Sequence, residues 1–369
     1  MEAVFTVTRE YKANPMTVIP NIVISGPGLI GAQHARLIKE RQDCKLAAVV
    51  LPDTTKHKEV GREFGCSVYS SLDAAFQSGK CDAVIISSPN EFHYDQALQC
   101  ISNSIPVLIE KPITDSLATA RSLVEVSQRY KSKVLVGHHR TYSPLLEAAS
   151  SFVRSEKFGK LVSVYGAALF FKPDTYFAAG PWRAKIGGGP LLINMVHEIG
   201  IMRYLCGEIQ SVSAMASRRT RKFEVEDTVA INLEFANGAL GTFILSDAAA
   251  SNKSWEMTSG ENKSYPYYPE DACYHFSGSN GSLDFPVMKA RFYDTDAPSW
   301  WAPFNDIMLD AKRADPLRRQ IDHFVDVIRG TAKPVVTAFD GYANILVIDA
   351  IQRSIANRSV EAVVFDANP

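Results

Sequence analysis

Residues 21–31 read N-I-V-I-S-G-P-G-L-I-G, and the reading of this stretch decides the fold. The run Asn21–Ser25 is short, rich in β-branched residues and free of charge, which suits a strand buried on both faces. Gly26, Gly28 and Gly31 follow in the spacing G-x-G-x-x-G, and residues 32–41 continue as an amphipathic helix. A tight turn from strand into helix aims backbone N–H groups and the positive end of a helix at a pyrophosphate. Gly26, Gly28, Leu29, Ile30 and Gly31 are therefore expected to bind a dinucleotide. A strand–helix turn with no ligand is the competing reading, and the strand before the motif and the helix after it favour the dinucleotide.

Working outward, the alternation continues. Strands are expected over 45–51, 83–87, 107–110 and 133–137, and helices over 71–77, 92–103 and 116–130. With right-handed crossovers this is a doubly wound parallel sheet of Rossmann type. The second strand ends at Leu51, with Asp53 two residues on, where an acid can hold the adenosine ribose. Lys56 and Lys58 can equally face a 2′-phosphate, or the segment is a solvated turn, so NAD and NADP both stay open. The loop Ser88, Pro89, Asn90 suits contact with the nicotinamide ribose, although Asn90 also suits a helix cap. His93, one turn into that helix, is either a cofactor or substrate contact or a structural histidine.

The next strand closes as P-V-L-I-E-K-P, residues 106–112, an apolar run ending in a carboxylate, an ammonium and a proline. In an open α/β sheet the carboxyl ends of the strands form the ligand rim. Lys111 is thus a catalytic candidate, with a solvated strand end as its alternative. Glu110 either holds that ammonium in place or contacts the nicotinamide ribose.

Composition excludes several classes of partner. Lys plus Arg number 39 against 40 Asp plus Glu, so neither nucleic acid nor an anionic membrane is expected to bind. The densest basic cluster, Arg218, Arg219, Arg221 and Lys222, is answered by Glu224, Glu226 and Asp227 and reads as a solvated loop. Six cysteines lie far apart without metal-ligand spacing, so no metal is expected and a reducing compartment is the simplest setting. No stretch is apolar enough to span a bilayer, and residues 1–10 lack the pattern of a signal peptide, which makes the cytosol the expected location. Residues 1–20, framed by Pro15 and Pro20, read as an extension.

The pattern changes in the second half. Long strands are expected over 161–171, 209–216, 228–235 and 239–247, with Asn237-Gly238 as a hairpin turn. This gives a mostly antiparallel sheet, followed by helices over 316–329 and 341–356. The polar loop 253–271, rich in Tyr and Pro, reads as a lid or an interface element. One helix interrupts the strands, entered through Gly187-Gly188-Gly189-Pro190 and closed at Gly207. It carries Asn194 and His197 three residues apart, a polar pair on an apolar helix that needs buried hydrogen bonds or a ligand.

Taken together, G-P-G-L-I-G, S-P-N-E-F-H, E-K-P, G-H-H-R-T-Y-S-P (137–144) and P-W-R…G-G-G (181–189), in that order, resemble the Gfo/Idh/MocA family. The resemblance runs from about Asn21 into the C-terminal region. It implies a Rossmann domain over 21–145 and, over 146–369, an α+β substrate-binding domain with a large open-faced sheet through which subunits pair as homodimers or homotetramers. It also implies an NAD- or NADP-dependent dehydrogenase acting on a CH–OH group. His197 would then be the general acid/base facing Lys111, and Lys111 would bond the same oxygen and favour the developing alkoxide. Tyr142, Lys172, Trp182, Arg183, Asn194 and His197 are expected in the substrate wall, with core packing as the alternative for Trp182 and an inter-domain salt bridge for Arg183. A pocket of that composition suits a sugar, a cyclitol or a related polyol; a trans-dihydrodiol or an aminosugar fits the same chemistry. The sequence departs from the family pattern at Ile193, where many members carry Asp four residues before the His, and at Gly200. That departure leaves two other readings on the same fold, a catalytically silent dinucleotide-sensing regulator and an NAD-dependent glycosidase.

Overall fold

The computed structural model describes residues 19–295 and 297–365, so nearly all of the extension expected over 1–20 lies outside the described residues. The chain forms two compact units. Among the described residues, the first takes the chain through His139 and regains it over Leu317–Ile345; the second holds Arg140–Pro316 and resumes at Leu346.

In the first unit, β1 (Asn21–Ser25), β2 (Lys45–Val50), β3 (Ser67–Tyr69), β4 (Ala83–Ile86), β5 (Val107–Ile109) and β6 (Val134–Val136) form one parallel sheet. Its strand order is β3-β2-β1-β4-β5-β6. This is the doubly wound order whose chain reversal at β1 and β4 opens a ligand crevice at the strands' carboxyl ends. The crossovers carry α1 (Leu29–Lys39), α2 (His57–Phe64), α3 (Leu72–Gln77), α4 (His93–Ser102) and α5 (Leu117–Arg129). Ser71 and Ser116 cap α3 and α5 by accepting the N–H of Ala74 and Thr119.

The sheet core joins Ile22, Ile24, Val49, Ile85, Leu108 and Leu135 to Ile38 and Phe64. Ile321, Phe324, Val325 and Ile328 of the helix Pro316–Arg329 enter the same cluster. A single boundary after residue 145 is therefore replaced by a chain that returns to its first unit. The 3.6-residue periodicity of that helix shows it has a core face but does not say which sheet the face covers. The expected alternation also lacked α2, whose face is mostly polar, and β3, which at three residues is too short to show a period.

The second unit is built on a nine-stranded sheet of order β14-β13-β12-β11-β7-β10-β9-β8-β15. Its strands are β7 (Leu161–Leu169), β8 (Ile209–Ser217), β9 (Thr228–Phe235), β10 (Leu240–Ser246), β11 (Tyr274–Gly278), β12 (Gly281–Phe285), β13 (Lys289–Phe292), β14 (Asn305–Met308) and β15 (Glu361–Ala362). The β9–β10 pair turns at Asn237-Gly238 as expected, with Gly238 at φ +85°. One pairing, β7 with β10, is parallel. One face buries Ile231, Phe243, Tyr274, Phe276, Leu283 and Phe285, while the alternate residues Tyr165, Met215, Leu240 and Met308 stay exposed. The helices of this unit include α6 (Pro144–Val153), α7 (Asp174–Ala178), α8 (Val196–Cys206) and α9 (Trp255–Thr258), and the helix Ala338–Asn357 enters it at Leu346.

Two loops carry buried contacts. The loop 253–271 is anchored: Asn252 and Lys253 both bond Asp271 at its base, and Trp255, Thr258 and Ser259 are buried. The basic cluster 218–222 is only partly solvated. Arg218, Arg219 and Lys222 are exposed, but the Arg221 guanidinium is buried against Asp247 (2.8 Å) and the Lys172 carbonyl (2.7 Å). Asp227 is buried too, accepting the N–H groups of Thr220 and Arg221 at 2.9 Å each. Charge balance along the chain cannot tell such a folded-in pair from a solvated one. Among the described residues, no helix is long and apolar enough to cross a membrane, and no group of three His, Cys, Asp or Glu is placed to hold a metal ion. All six cysteines are free thiols.

Candidate functional site

The glycine turn is pinned from behind and open in front. Gly26 has φ +86°, and a Cβ there would meet the Ser88 backbone nitrogen at 2.5 Å. A Cβ on Gly31 would lie 2.1 Å from the Gly26 carbonyl oxygen. Ser87 Oγ donates to that same carbonyl at 2.7 Å, and Gly26 N donates to Val50 O at 3.0 Å. Gly28 is different: its φ is −69°, and a Cβ there would meet nothing within 4 Å. Helix α1 begins at Leu29 with no side-chain cap, so its first N–H groups face the space in front of Gly28. An open approach at Gly28 and an uncapped eleven-residue helix fit a dinucleotide pyrophosphate.

Asp53 stands just past β2 and accepts the N–H of Thr55 at 3.1 Å. Hydrogen bonds from Thr55, with further help from Lys56, hold its carboxyl below the usual range. Lys56 Nζ lies 3.3 Å from it, so a single exposed turn carries both the acid that suits a ribose hydroxyl and the base that suits a 2′-phosphate. Ser88 Oγ and Ser25 Oγ both donate to Gln96 Oε1, at 2.9 and 3.0 Å, which fixes the loop after β4 against β1. Pro89 leads into a short turn that starts at Asn90, with no side-chain cap bond there or at the start of α4.

Two expected cofactor contacts are turned inward. His93 is 1 % exposed, and its ring nitrogens lie 2.9 Å from Pro112 O and 2.8 Å from Ser88 O. The ring lies between the S-P-N loop and the E-K-P turn, its neutral form donating one N–H to one of these two carbonyls, and burial holds its pKa below the ordinary histidine value. Glu110 is 4 % exposed, and its Oε1 lies 2.8 Å from Nε2 of His34 on α1. Burial alone would raise this carboxyl; the His34 hydrogen bond and the nearby positive charges bring it below the usual range. Lys111, half-buried, follows directly at the rim, its backbone N–H reaching Glu110 Oε2 at 3.4 Å.

The second unit gathers most of the expected substrate wall around one turn. Residues Leu191–Met195 form a π-helical turn that opens into α8, and Leu191 N donates to Glu226 at 3.0 Å. Such turns re-aim side chains at functional sites. Asn194 Oδ1 accepts from Lys172 Nζ at 2.7 Å, and Asp247 stands 3.7 Å from the same ammonium. Burial pushes the Asp247 carboxyl up, against the pull of Lys172 and Arg221. Tyr176 lies between two cations, with Lys172 Nζ 5.0 Å and the Arg183 guanidinium 4.0 Å from its ring centre. Arg183 thus sits on an aromatic face and donates to the Tyr176 carbonyl, in place of the salt bridge considered for it. Trp182 is 52 % exposed, which removes its core reading. Tyr142 and His197 are both buried.

Behind His197 lies a network the sequence did not reveal. Glu198 accepts from Arg140 at 2.6 Å and from the Tyr274 hydroxyl, and Arg140 reaches on to Glu256 at 2.5 Å. Arg140 also stands 5.5 Å over the Trp255 ring. These bonds fix the rotation of α8 and hence the direction of His197. Ser143 donates to Glu261 at 2.7 Å, and burial pushes the Glu261 carboxyl up to about 7. Glu198 carried a usable signal, a carboxylate on an apolar helix beside a candidate histidine. His34 carried one as well, since it shares the buried face of α1 with Gly31, Ala35 and Ile38.

Comparison with known proteins agrees with this geometry. The family model described as an oxidoreductase family with an NAD-binding Rossmann fold matches residues 20–138, and the GFO/IDH/MocA C-terminal domain model matches residues 146–284. The chain is 26% identical over 331 residues to the rhizopine catabolism protein MocA of Rhizobium meliloti, covering 88% of this chain and 92% of that one. It is likewise 26% identical over 345 residues to the scyllo-inositol 2-dehydrogenase (NAD(+)) of Bacillus subtilis, covering 90% and 93%. The crystal structure of the WlbA dehydrogenase of Bordetella pertussis, in complex with NADH and UDP-GlcNAcA, superposes with a TM-score of 0.75 at 18% identity, covering 95% of this chain and all of that one, a likeness of fold.

Proposed function

The chain belongs to the Gfo/Idh/MocA family of NAD-binding oxidoreductases, and from that premise we propose that it interconverts a hydroxyl and a carbonyl on a sugar, a cyclitol or a related polyol. The observation that carries this reading is a glycine turn, open only at Gly28, on the same sheet rim as Lys111. The nicotinamide, when bound, accepts or supplies the hydride. The protein must hold the dinucleotide, orient the carbon and manage the hydroxyl proton. Gly26, Gly28, Leu29, Ile30 and Gly31 take the pyrophosphate, with Ser88, Pro89 and Asn90 toward the nicotinamide ribose and Asp53 toward the adenosine ribose. NAD and NADP are both compatible with the Asp53–Lys56 turn. His197 moves the proton, since imidazole titrates near working pH. Lys111 supplies the positive charge that favours an alkoxide.

Lys172, Asn194, Arg183, Tyr176 and Trp182 form the substrate wall, joined by Tyr142. Asn194 stands beside Ile193, where the family resemblance implies an acid in many members, and Lys172 and Asp247 complete a hydrogen-bonding group suited to several hydroxyls. Curated relatives named as inositol dehydrogenases support a polyol substrate for this chain. Subunits pair as homodimers or homotetramers through the exposed face of the nine-stranded sheet, and the free cysteines suit a reducing cytosol.

The test is turnover on a panel of cyclitols and sugars with each dinucleotide. Lys111→Ala should lower turnover about 10²- to 10³-fold while dinucleotide affinity stays nearly unchanged. Dinucleotide binding without turnover on any member of the panel, indifferent to Lys111→Ala, would overturn the enzyme reading in favour of a sensor.

A further inference from the structure

We propose that His34 is a positioning residue for Lys111, tying the helix behind the glycine turn to Glu110 and so holding the E-K-P rim in its working charge and direction. The proposal rests on the catalytic reading of Lys111. Its geometry lies wholly in the first unit. His34 is fully buried one turn after Gly31, on the same face of α1, with Nε2 2.8 Å from Glu110 Oε1. Its Nδ1 is buried with no hydrogen-bond partner, which suits the tautomer protonated at Nε2, with that N–H donating to the carboxylate. Glu110 is confined from the other side as well: a Cβ on Gly137 would meet its carboxyl at 2.9 Å. The backbone there is also fixed, with Glu110 N donating to Ile86 O at 2.8 Å and Gly137 N to Ile109 O at 2.7 Å.

The titratable groups facing Glu110 are His34 from α1, Lys111 from its own strand end, His139 from the segment after β6, and His93 from α4. His34 Nε2 reaches Glu110 Oε1 at 2.8 Å, and the Lys111 backbone N–H reaches Oε2 at 3.4 Å. Burial without the His34 donor would favour the neutral acid. Lys111 would then lose the anion beside it, and its ammonium would give up a proton at lower pH. The same helix face that ends at the pyrophosphate turn therefore fixes the charge next to Lys111.

The experiment follows Lys111 itself in the full-length protein without cofactor, by the pH dependence of its acetylation with acetic anhydride, read by mass spectrometry. His34→Leu should move the Lys111 midpoint down by about one pH unit. His34→Gln, whose Nε2 can donate to the same oxygen, should restore it. Glu110→Gln should reproduce the effect of His34→Leu and serves if that variant does not fold. In turnover, His34→Leu should lower kcat about tenfold with KM for the dinucleotide changed by less than about threefold, and His34→Gln should recover most of the loss. A Lys111 midpoint unmoved in both His34→Leu and Glu110→Gln overturns the proposal. So does equal loss of kcat and thermal stability in the Leu and Gln variants, which marks a merely structural histidine. If Lys111→Ala keeps full turnover while His34→Leu still shifts the midpoint, the coupling stands and the catalytic reading of Lys111 falls.

Discussion

Glu261 illustrates how far burial governs single residues here. Its carboxyl, bonded to Ser143 and otherwise enclosed, is pushed up to about 7 from the ordinary value of 4.5. Between those two values the folded chain keeps a proton that the unfolded chain releases, so stability falls as pH rises through that window. Glu261→Gln should remove this slope, gaining about 1–3 kcal/mol over the wild type at pH 8 and almost nothing at pH 4.5. Urea unfolding at the two pH values checks it, and parallel wild-type and variant curves would refute it. Residues of this kind were hardly legible in the sequence. Lys111 was, because a charge ending an apolar run has few explanations. Arg140, Glu256 and Arg221 were not, because their partners are 26 to 116 residues away along the chain and only folding brings the charges together.

The glycine turn separates two effects that a motif alone conflates. Gly31 is required by packing, since a Cβ would press on the Gly26 carbonyl at 2.1 Å. Gly28 is not required by packing, since a Cβ would touch no protein atom within 4 Å and its φ of −69° suits any residue, and its role is the proposed contact with the dinucleotide. Gly31→Ala should therefore destabilise the protein by about 1–3 kcal/mol. Gly28→Ala should leave thermal stability near the wild type and weaken dinucleotide binding about tenfold or more, measured by fluorescence titration. Equal stability losses in the two variants would contradict this division of roles. At this scale most elements were readable, because strand and helix periods are local properties. The π turn at Leu191–Met195 was not, since Pro190 and Gly207 mark the helix ends without revealing how the first turn is wound.

At the scale of the molecule, the sequence announced both sheets but not the return of Leu317–Ile345 to the first unit, which depends on long-range packing. The family resemblance implied an open face for the second sheet, and the alternation along β7 to β14 leaves Tyr165, Met215, Leu240 and Met308 exposed on it. On the same face His275 stacks on Tyr165, and a ladder runs from His275 through Asp284 and Arg291 to Asp306. This face of mixed apolar and paired charged groups is the one proposed above for subunit pairing. Tyr165→Glu should shift the protein from oligomer to smaller species in light scattering after gel filtration, with the fold kept by circular dichroism. An unchanged mass would contradict the proposed pairing through this face.

The central claim, hydride transfer at a carbinol carbon, is tested most directly by isotope. A polyol substrate carrying deuterium on the reacting carbon, incubated with the enzyme and oxidised dinucleotide, should deliver that deuterium to C4 of the nicotinamide, one per carbonyl formed. Product formed with unlabelled dinucleotide, or with the label lost to water, would contradict the account.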